Sequence, residues 1–247
     1  MKSASVSHSR IAEHFTPGDT APVSGGPPGV EICVFVSGAF GASGLSTGTA
    51  AFEPHSALAY HEHEFSEAIT MLEGNSTVLV DGRVYELRAF DCVHVPAGVA
   101  HAVRNDSSHT RVVAHWAIAT SEPSRRIVEP SPIWVIRGLR NPEPGEPEHI
   151  SRFDESATYE LSPGAYFRDL FKGSLGSVGI CGGYGRFQPG AFLPCHFHEY
   201  DESITIVEGT ARCLVQGNRY RVSGYDTAFV PVGMPHRFIN EQIPGWR

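Results

Sequence analysis

Short apolar runs separated by turn residues set the pattern of this chain. Ala68-Ile69-Thr70-Met71-Leu72 and Thr77-Val78-Leu79-Val80 have strand length and stop at Gly74 and Gly82. Runs of this kind between glycine and proline signals predict strands, and few stretches carry a long helical period. The fold class expected is therefore all-β. The pattern then repeats. At one constant offset, the one that carries His61 to His196 and His101 to His236, the halves align without a gap from Gly29/Gly164 to Asn105/Asn240, with about a third of the pairs identical. Glycines recur at Gly38/Gly173, Gly41/Gly176, Gly44/Gly179, Gly48/Gly183 and Gly82/Gly217, followed by Tyr85/Tyr220 and Asp91/Asp226. Matched glycines mean matched backbone turns, so each half should be a compact antiparallel barrel or sandwich of short strands.

The identical positions include a chemical set. His61, His63 and Glu67 recur as His196, His198 and Glu202, and His101 and His236 follow in Pro-x-Gly stretches that begin at Pro96 and Pro231. Histidines at i and i+2 project to one face of a strand but to different sides of a helix. A glutamate four residues on can return on the next strand, and the Pro-x-Gly turn delivers a third histidine. Three imidazoles and a carboxylate suit Fe, Mn, Ni, Co or Zn rather than Ca or Mg. A six-coordinate ion held this way keeps two positions open. A lone His-x-His carries little information; the same four residue types in order, twice, point to a divalent transition metal, up to two per chain.

Composition narrows the partners. The 247 residues are 41% hydrophobic and contain 26 Gly and 18 Pro, enough for one large or two small β-rich domains. A formal charge of −8 argues against nucleic acid or an anionic membrane and for a small-molecule substrate. No apolar run reaches the ~18 residues that span a bilayer, and the first residues have no apolar secretory core, so a cytoplasmic protein is expected. Five cysteines at no CxxC spacing indicate reduced, mostly buried thiols.

The spacing HxHxxxExxxxxxG followed by PxGxxHxxxN resembles the cupins, and two complete copies resemble a bicupin. The resemblance covers about 29–120 and 155–247 and implies two double-stranded β-helix (jelly-roll) barrels in tandem. It also implies that His61, His63, Glu67 and His101 hold one metal and His196, His198, Glu202 and His236 a second. The family includes dioxygenases, decarboxylases, isomerases and storage or binding proteins, so it does not choose a reaction. Two complete ligand sets favour a metalloenzyme acting on a small oxygen-bearing substrate over a non-catalytic binding module.

The boundaries expected are an N-terminal extension over 1–28, with Ile11–Phe15 its docking segment, a first barrel over 29–120, a connecting segment over 121–154, and a second barrel over 155–247. Regular structure should begin near Gly29. Within the connection, 121–126 and 141–147 read as exposed, and Ile133-Trp134-Val135-Ile136 as a strand crossing the inter-domain surface. The walls of the two sites should differ if Tyr60, Glu62 and His94 point inward opposite Cys195, Phe197 and Phe229, which would make the first site the more polar. Arg104, Arg186 and Arg212 are candidate clamps for a substrate carboxylate. Finally, Arg111–Ile118 reads as the strand that closes the first barrel, and its equivalent would begin at 246. Either the chain is part of a longer one, or another segment covers the open edge: Ile133–Ile136, or a partner subunit in a homodimer.

Overall fold

The computed structural model describes residues 14–129 and 134–241. Two six-stranded sheets enclose the core of the first half. One runs, in hydrogen-bonded order, His149–Ser151, Cys92–Val95, Glu67–Glu73, Val112–Ile118, Ser46–Phe52 and Val30–Val36. The other runs Arg126–Ile127, His61–Glu62, His101–Arg104, Ser76–Val80, Arg83–Leu87 and Val135–Gly138. Alternation decides what lies between them: Ile69 and Met71 on one sheet and Val78, Val80, Tyr85 and Leu87 on the other are all buried in one cluster with Phe52. Each such side chain contributes about 1.5–3 kcal/mol by leaving water. The buried Tyr85 hydroxyl donates to Glu148 Oε1 at 2.6 Å, and Arg83 grips the same carboxylate at 2.6 and 2.7 Å, which fastens the connecting segment to the first barrel.

Gly48 illustrates why a repeated glycine is needed. A Cβ there would lie 1.9 Å from the Cys33 carbonyl oxygen and 2.5 Å from Trp116 Cζ2, so the glycine leaves the space in which the indole lies.

The second half repeats the same strands but not the same closure. Its sheets are His14–Thr16/Thr227–Val230/Glu202–Thr205, Asn218–Ser223/Thr210–Val215/His236–Ile239 and Tyr159–Ser162/Ala165–Phe171/Gly182–Phe187. In the first half Val112–Ile118 bonds to both Glu67–Glu73 and Ser46–Phe52. The counterparts of those two neighbours, Glu202–Thr205 and Gly182–Phe187, belong to separate sheets, and no strand among the described residues joins them. The expectation that Ile133–Ile136 covers this gap is overturned. Ile133 lies outside the described residues, and Val135–Gly138 pairs parallel with Arg83–Leu87 of the first half. Trp134 packs edge-on against Tyr60 at 5.4 Å and Val135 N donates to the Gly82 carbonyl at 2.8 Å, which fixes the segment there.

Regular structure also begins earlier than Gly29. Residues 11–13 of the expected docking segment lie outside the described residues, but His14–Thr16 forms a strand on Thr227–Val230 of the second half. His149–Ser151, its equivalent at the repeat offset, adds in the same way to Cys92–Val95 of the first half. The register matches pair for pair: Phe15 faces Ala228 and Ile150 faces Val93. Each half therefore receives the short strand that precedes the other. Thr16 Oγ1 donates to the Phe35 carbonyl at 2.9 Å and Ser151 Oγ to the Leu170 carbonyl at 2.6 Å, again equivalent positions. Asp226 accepts from Gly18 N at 3.0 Å, and Asp91 accepts from Phe153 N at 2.9 Å and from Arg152 Nη1 at 2.8 Å. The repeated aspartate is thus the latch behind each exchanged strand. Apolar clusters of Phe35, Val36 and Ala42 with Phe229, and of Ala68, Cys92 and Ala117 with Leu170 and Phe171, hold the halves together. No described helix is long and apolar enough to cross a membrane.

The five cysteines are free, but only Cys92 and Cys213 are buried; Cys181 and Cys195 are exposed and Cys33 is intermediate. The thiols are thus less buried than composition suggested, because Cys181 and Cys195 lie in the more open second half.

Candidate metal centres

The two-residue strand His61–Glu62 places His61 directly opposite His101. Glu67 opens the strand that pairs with Cys92–Val95. The turn between Pro96 and His101 uses Gly98 at φ 74°, and its amide donates to the His63 carbonyl at 2.8 Å. Gly233, at φ 73°, donates to the His198 carbonyl at the same distance. In both halves the turn is anchored to the second histidine of the motif, which explains why the distant histidine arrives at the same place twice.

The four side chains of each set come together, with ligand atoms all within 4.8 Å of one another. Ring centroids are 4.9, 4.5 and 5.4 Å apart among His61, His63 and His101, and 5.0, 4.4 and 5.5 Å among their counterparts. Glu67 Oε2 lies 2.7 Å from His101 Nε2 and 3.1 Å from His63 Nε2. Glu202 Oε2 lies 2.6 Å from His236 Nε2 and 3.5 Å from His198 Nε2. The 2.6 Å pair is buried yet not aligned as a hydrogen bond, the arrangement of two donors aimed at a common third point.

The far side of each ring is also fixed. Nδ1 of His61, His101, His196 and His236 sits 2.7 to 3.0 Å from the backbone carbonyl two residues before it, at Ala59, Val99, Pro194 and Met234. A carbonyl only accepts, so Nδ1 carries a proton and Nε2 faces the centre, where that of His101 can donate to Glu67 and a bound ion would take the place of that proton. The bond from Nδ1 is the outer hydrogen bond that orients metal-binding imidazoles. His63 Nδ1 is held at 2.5 Å by the Ser124 carbonyl of the connecting segment, whereas His198 stacks on Tyr200 at 4.9 Å.

Electrostatics agree with this geometry. Burial, with the neighbouring His101, pulls His61 down to about 4. Burial also disfavours the cation of His63, but the hydrogen bond and charge of Glu67 outweigh it and raise its pKa. Burial would push Glu67 up, yet its bonds from His101 and His63 hold it far below the usual carboxylate range. An ionised Glu67 among imidazoles whose Nε2 atoms face one point fits a divalent ion, through three nitrogens and one oxygen, and the second half repeats the same four donors.

The surroundings differ. All four residues of the first set are buried; of the second set only His236 is. The side chain of Glu67 is 9% exposed and that of Glu202 28%. The first set lies at a cavity of about 210 Å³ whose wall is Ile32, Val34, Phe52, Leu58, Ile69, Val103, Trp116 and Ile118, with Ser24–Gly25 and Pro123–Arg125 also contributing. The expectation of a polar first site is overturned: Tyr60, Glu62 and His94 do not line this cavity. His94 faces His149 on the neighbouring strand, Glu62 pairs with Arg126, and the Tyr60 hydroxyl accepts from Gly82 N, because one residue of register reverses each side chain. Of the candidate arginine clamps, Arg104 pairs with Asp106 at 2.6 Å and does not line this cavity; in the second half Arg212 pairs with Glu241 at 2.5 Å. Sequence reading missed Trp116, Arg125 and the Ser124 carbonyl. Trp116 was legible by alternation with Ala114 and Ile118; a backbone acceptor far along the chain from His63 left no signal.

Two jelly-roll barrels in one chain, each with a three-histidine, one-glutamate cluster, define a bicupin with two candidate metal sites. Comparison with known proteins agrees. The cupin domain model matches residues 48–118 and 183–242, and the chain belongs to the cupin family. Quercetin 2,3-dioxygenase of Bacillus subtilis is 38% identical over 64 residues, which are 26% of this chain and 19% of that protein. Among solved structures, the oxalate decarboxylase of Lactobacillus farciminis, as a formate complex, superposes with a TM-score of 0.71 at 14% identity, covering 92% of this chain and 81% of that one. Protein Ylba from E. coli gives 0.70 at 12% identity over 94% and 87%. At such identities the likeness is one of fold.

Proposed function

We propose that the chain is a metal-dependent bicupin enzyme whose chemistry takes place at the first site. His61, His63, Glu67 and His101 bind one divalent transition metal there, Fe, Mn, Ni, Co or Zn, and His196, His198, Glu202 and His236 bind a second. The observation that carries the reading is the buried first cluster: four converging donors, each imidazole fixed by a backbone carbonyl, bordering an apolar cavity. A bound ion would supply Lewis acidity or O2 activation to a small oxygen-bearing substrate. The chain's own part is to turn Nε2 of each imidazole toward the ion, keep Glu67 ionised and surround the open side with an apolar wall. Dioxygenase, decarboxylase and isomerase chemistry all use such a centre; the names of the relatives support the first two. We assign the barrels to 29–120 and 155–247, each extended by the short strand preceding its partner.

The test is elemental analysis of protein purified without added metal, with His61→Ala/His63→Ala and His196→Ala/His198→Ala beside the parent. Two metals in the parent and about one in each variant are expected; unchanged metal in both variants would sink the assignment. Turnover of small oxygen-bearing compounds under O2 and under nitrogen then separates oxygenase from decarboxylase or isomerase. The second site, with half-exposed ligands, fits a binding or structural metal better than a reaction that must exclude water.

A further inference from the structure

We infer that the first cavity takes a single aromatic ring, with its oxygen substituent turned toward the histidines and its ring against Trp116, and that it rejects small dianions. The inference rests on the functional reading above and names the substrate class of the same site. Size comes first. Engineered apolar cavities of about 150 Å³ stay dry and bind benzene, whereas drug-sized ligands need about 300 Å³ or more. At about 210 Å³, this cavity has room for one ring with small substituents.

The wall decides polarity. Aliphatic and aromatic side chains from several strands line it, and the only cation among the described lining residues, Arg125, is an exposed residue of the connecting segment. The only carboxylate among them is Glu67, itself anionic. A small dicarboxylate inside would lose its water and, apart from a bound metal, meet only the exposed Arg125 as a compensating charge, which is unfavourable.

Aromatic surface on the wall favours a flat ring. Trp116 is 8% exposed, alternates inward with Ala114 and Ile118 and sits in the space left by Gly48, across from Ile69 on the strand that begins with Glu67. Its Nε1 is buried away from the cavity, so the indole, with Phe52, offers a bound ring apolar aromatic contact and no hydrogen bond.

The experiment measures binding to the full chain by calorimetry, thermal shift and tryptophan fluorescence, in metal-loaded and chelator-treated protein, with toluene, catechol and oxalate as probes. Toluene should raise Tm with or without metal, because apolar burial alone holds it. Catechol should bind more tightly than toluene when metal is present, and oxalate on the order of 100-fold more weakly than catechol. Trp116→Leu should weaken toluene and catechol alike, by up to about tenfold, while leaving metal content unchanged. Ala114→Phe, or the milder Ala50→Leu should the first fail to fold, should abolish toluene binding by filling the cavity. Oxalate binding as tight as catechol, no toluene binding to folded protein, or toluene binding unchanged in the folded cavity-filling variant would overturn the inference. Toluene binding with no effect of metal on catechol would instead overturn the metal reading and leave the ring site standing.

Discussion

The two halves differ in how a nearly identical ligand cluster is housed. Ring separations of 4.9, 4.5 and 5.4 Å in the first site become 5.0, 4.4 and 5.5 Å in the second, yet the first cluster is buried and the second half-exposed. Ligand geometry is local: a strand, a tight turn and one hairpin set it. Enclosure is not local. It needs the strand Val112–Ile118 to join its two neighbours and the connecting segment to pass Ser124 over His63. Duplication can therefore keep a metal site's coordination while giving the two copies different dielectric surroundings and access.

The sharpest way to break the comparison is to remove ligands. Glu67→Gln and Glu202→Gln each leave a neutral oxygen where an anion balanced the ion's charge. A loss of metal affinity of about 10- to 100-fold or more is expected at the altered site, read by titration with a chelator. Activity should fall with the first substitution and persist with the second. Equal loss of activity from both would mean that enclosure does not select the working site.

The exchanged strands give the next largest difference. Asp91→Ala leaves the Arg152 guanidinium buried without its carboxylate, and about 3–5 kcal/mol of destabilisation is expected from an orphaned buried charge. Asp226→Ala removes, among the described residues, the acceptors of the Gly18 and Ser223 amides and no ion pair, for about 1 kcal/mol. Urea unfolding of both variants checks the ratio.

A smaller contrast depends on pH. His94 is buried with both ring nitrogens unpartnered, and burial, aided by His149, lowers it to about 4; the second half has Phe229 at the equivalent position. The unfolded chain takes up this proton near pH ~6.5, so between that value and about 4 the unfolded state binds more protons and stability falls as pH falls. His94 contributes at most about 1.4 kcal/mol per pH unit to this slope, and His61 and His115, also held at about 4 by burial, add to it. His94→Phe, which makes the first half like the second, should reduce the slope, measured as Tm against pH. A slope unchanged in His94→Phe would assign it to other histidines.

The smallest effect is expected at Tyr200, which stacks on His198 where the first site has a carbonyl. Tyr200→Ala should weaken metal at the second site by less than about tenfold and leave the first unchanged; chelator competition resolves the two.

What the sequence determined by itself is what depends on short spacing. The constant repeat offset, the strand-length apolar runs, the Pro-x-Gly turns and the eight ligand positions all express rules that act within a short stretch: side-chain alternation, turn conformation and donor chemistry. What only the tertiary structure decided depends on which distant segments meet. His14–Thr16 and His149–Ser151 are strands too short to display an alternation, so nothing local reveals that each extends the other half. Val135–Gly138 carries a strand signal, but its partner is chosen by Trp134 on Tyr60 and by the edge left open at Arg83–Leu87, not by its composition. The inward faces of the cavity wall follow from register, and a shift of one residue would have exchanged His94 for Val93 or Val95. Pairing between segments so far apart is settled by packing that no window of sequence contains.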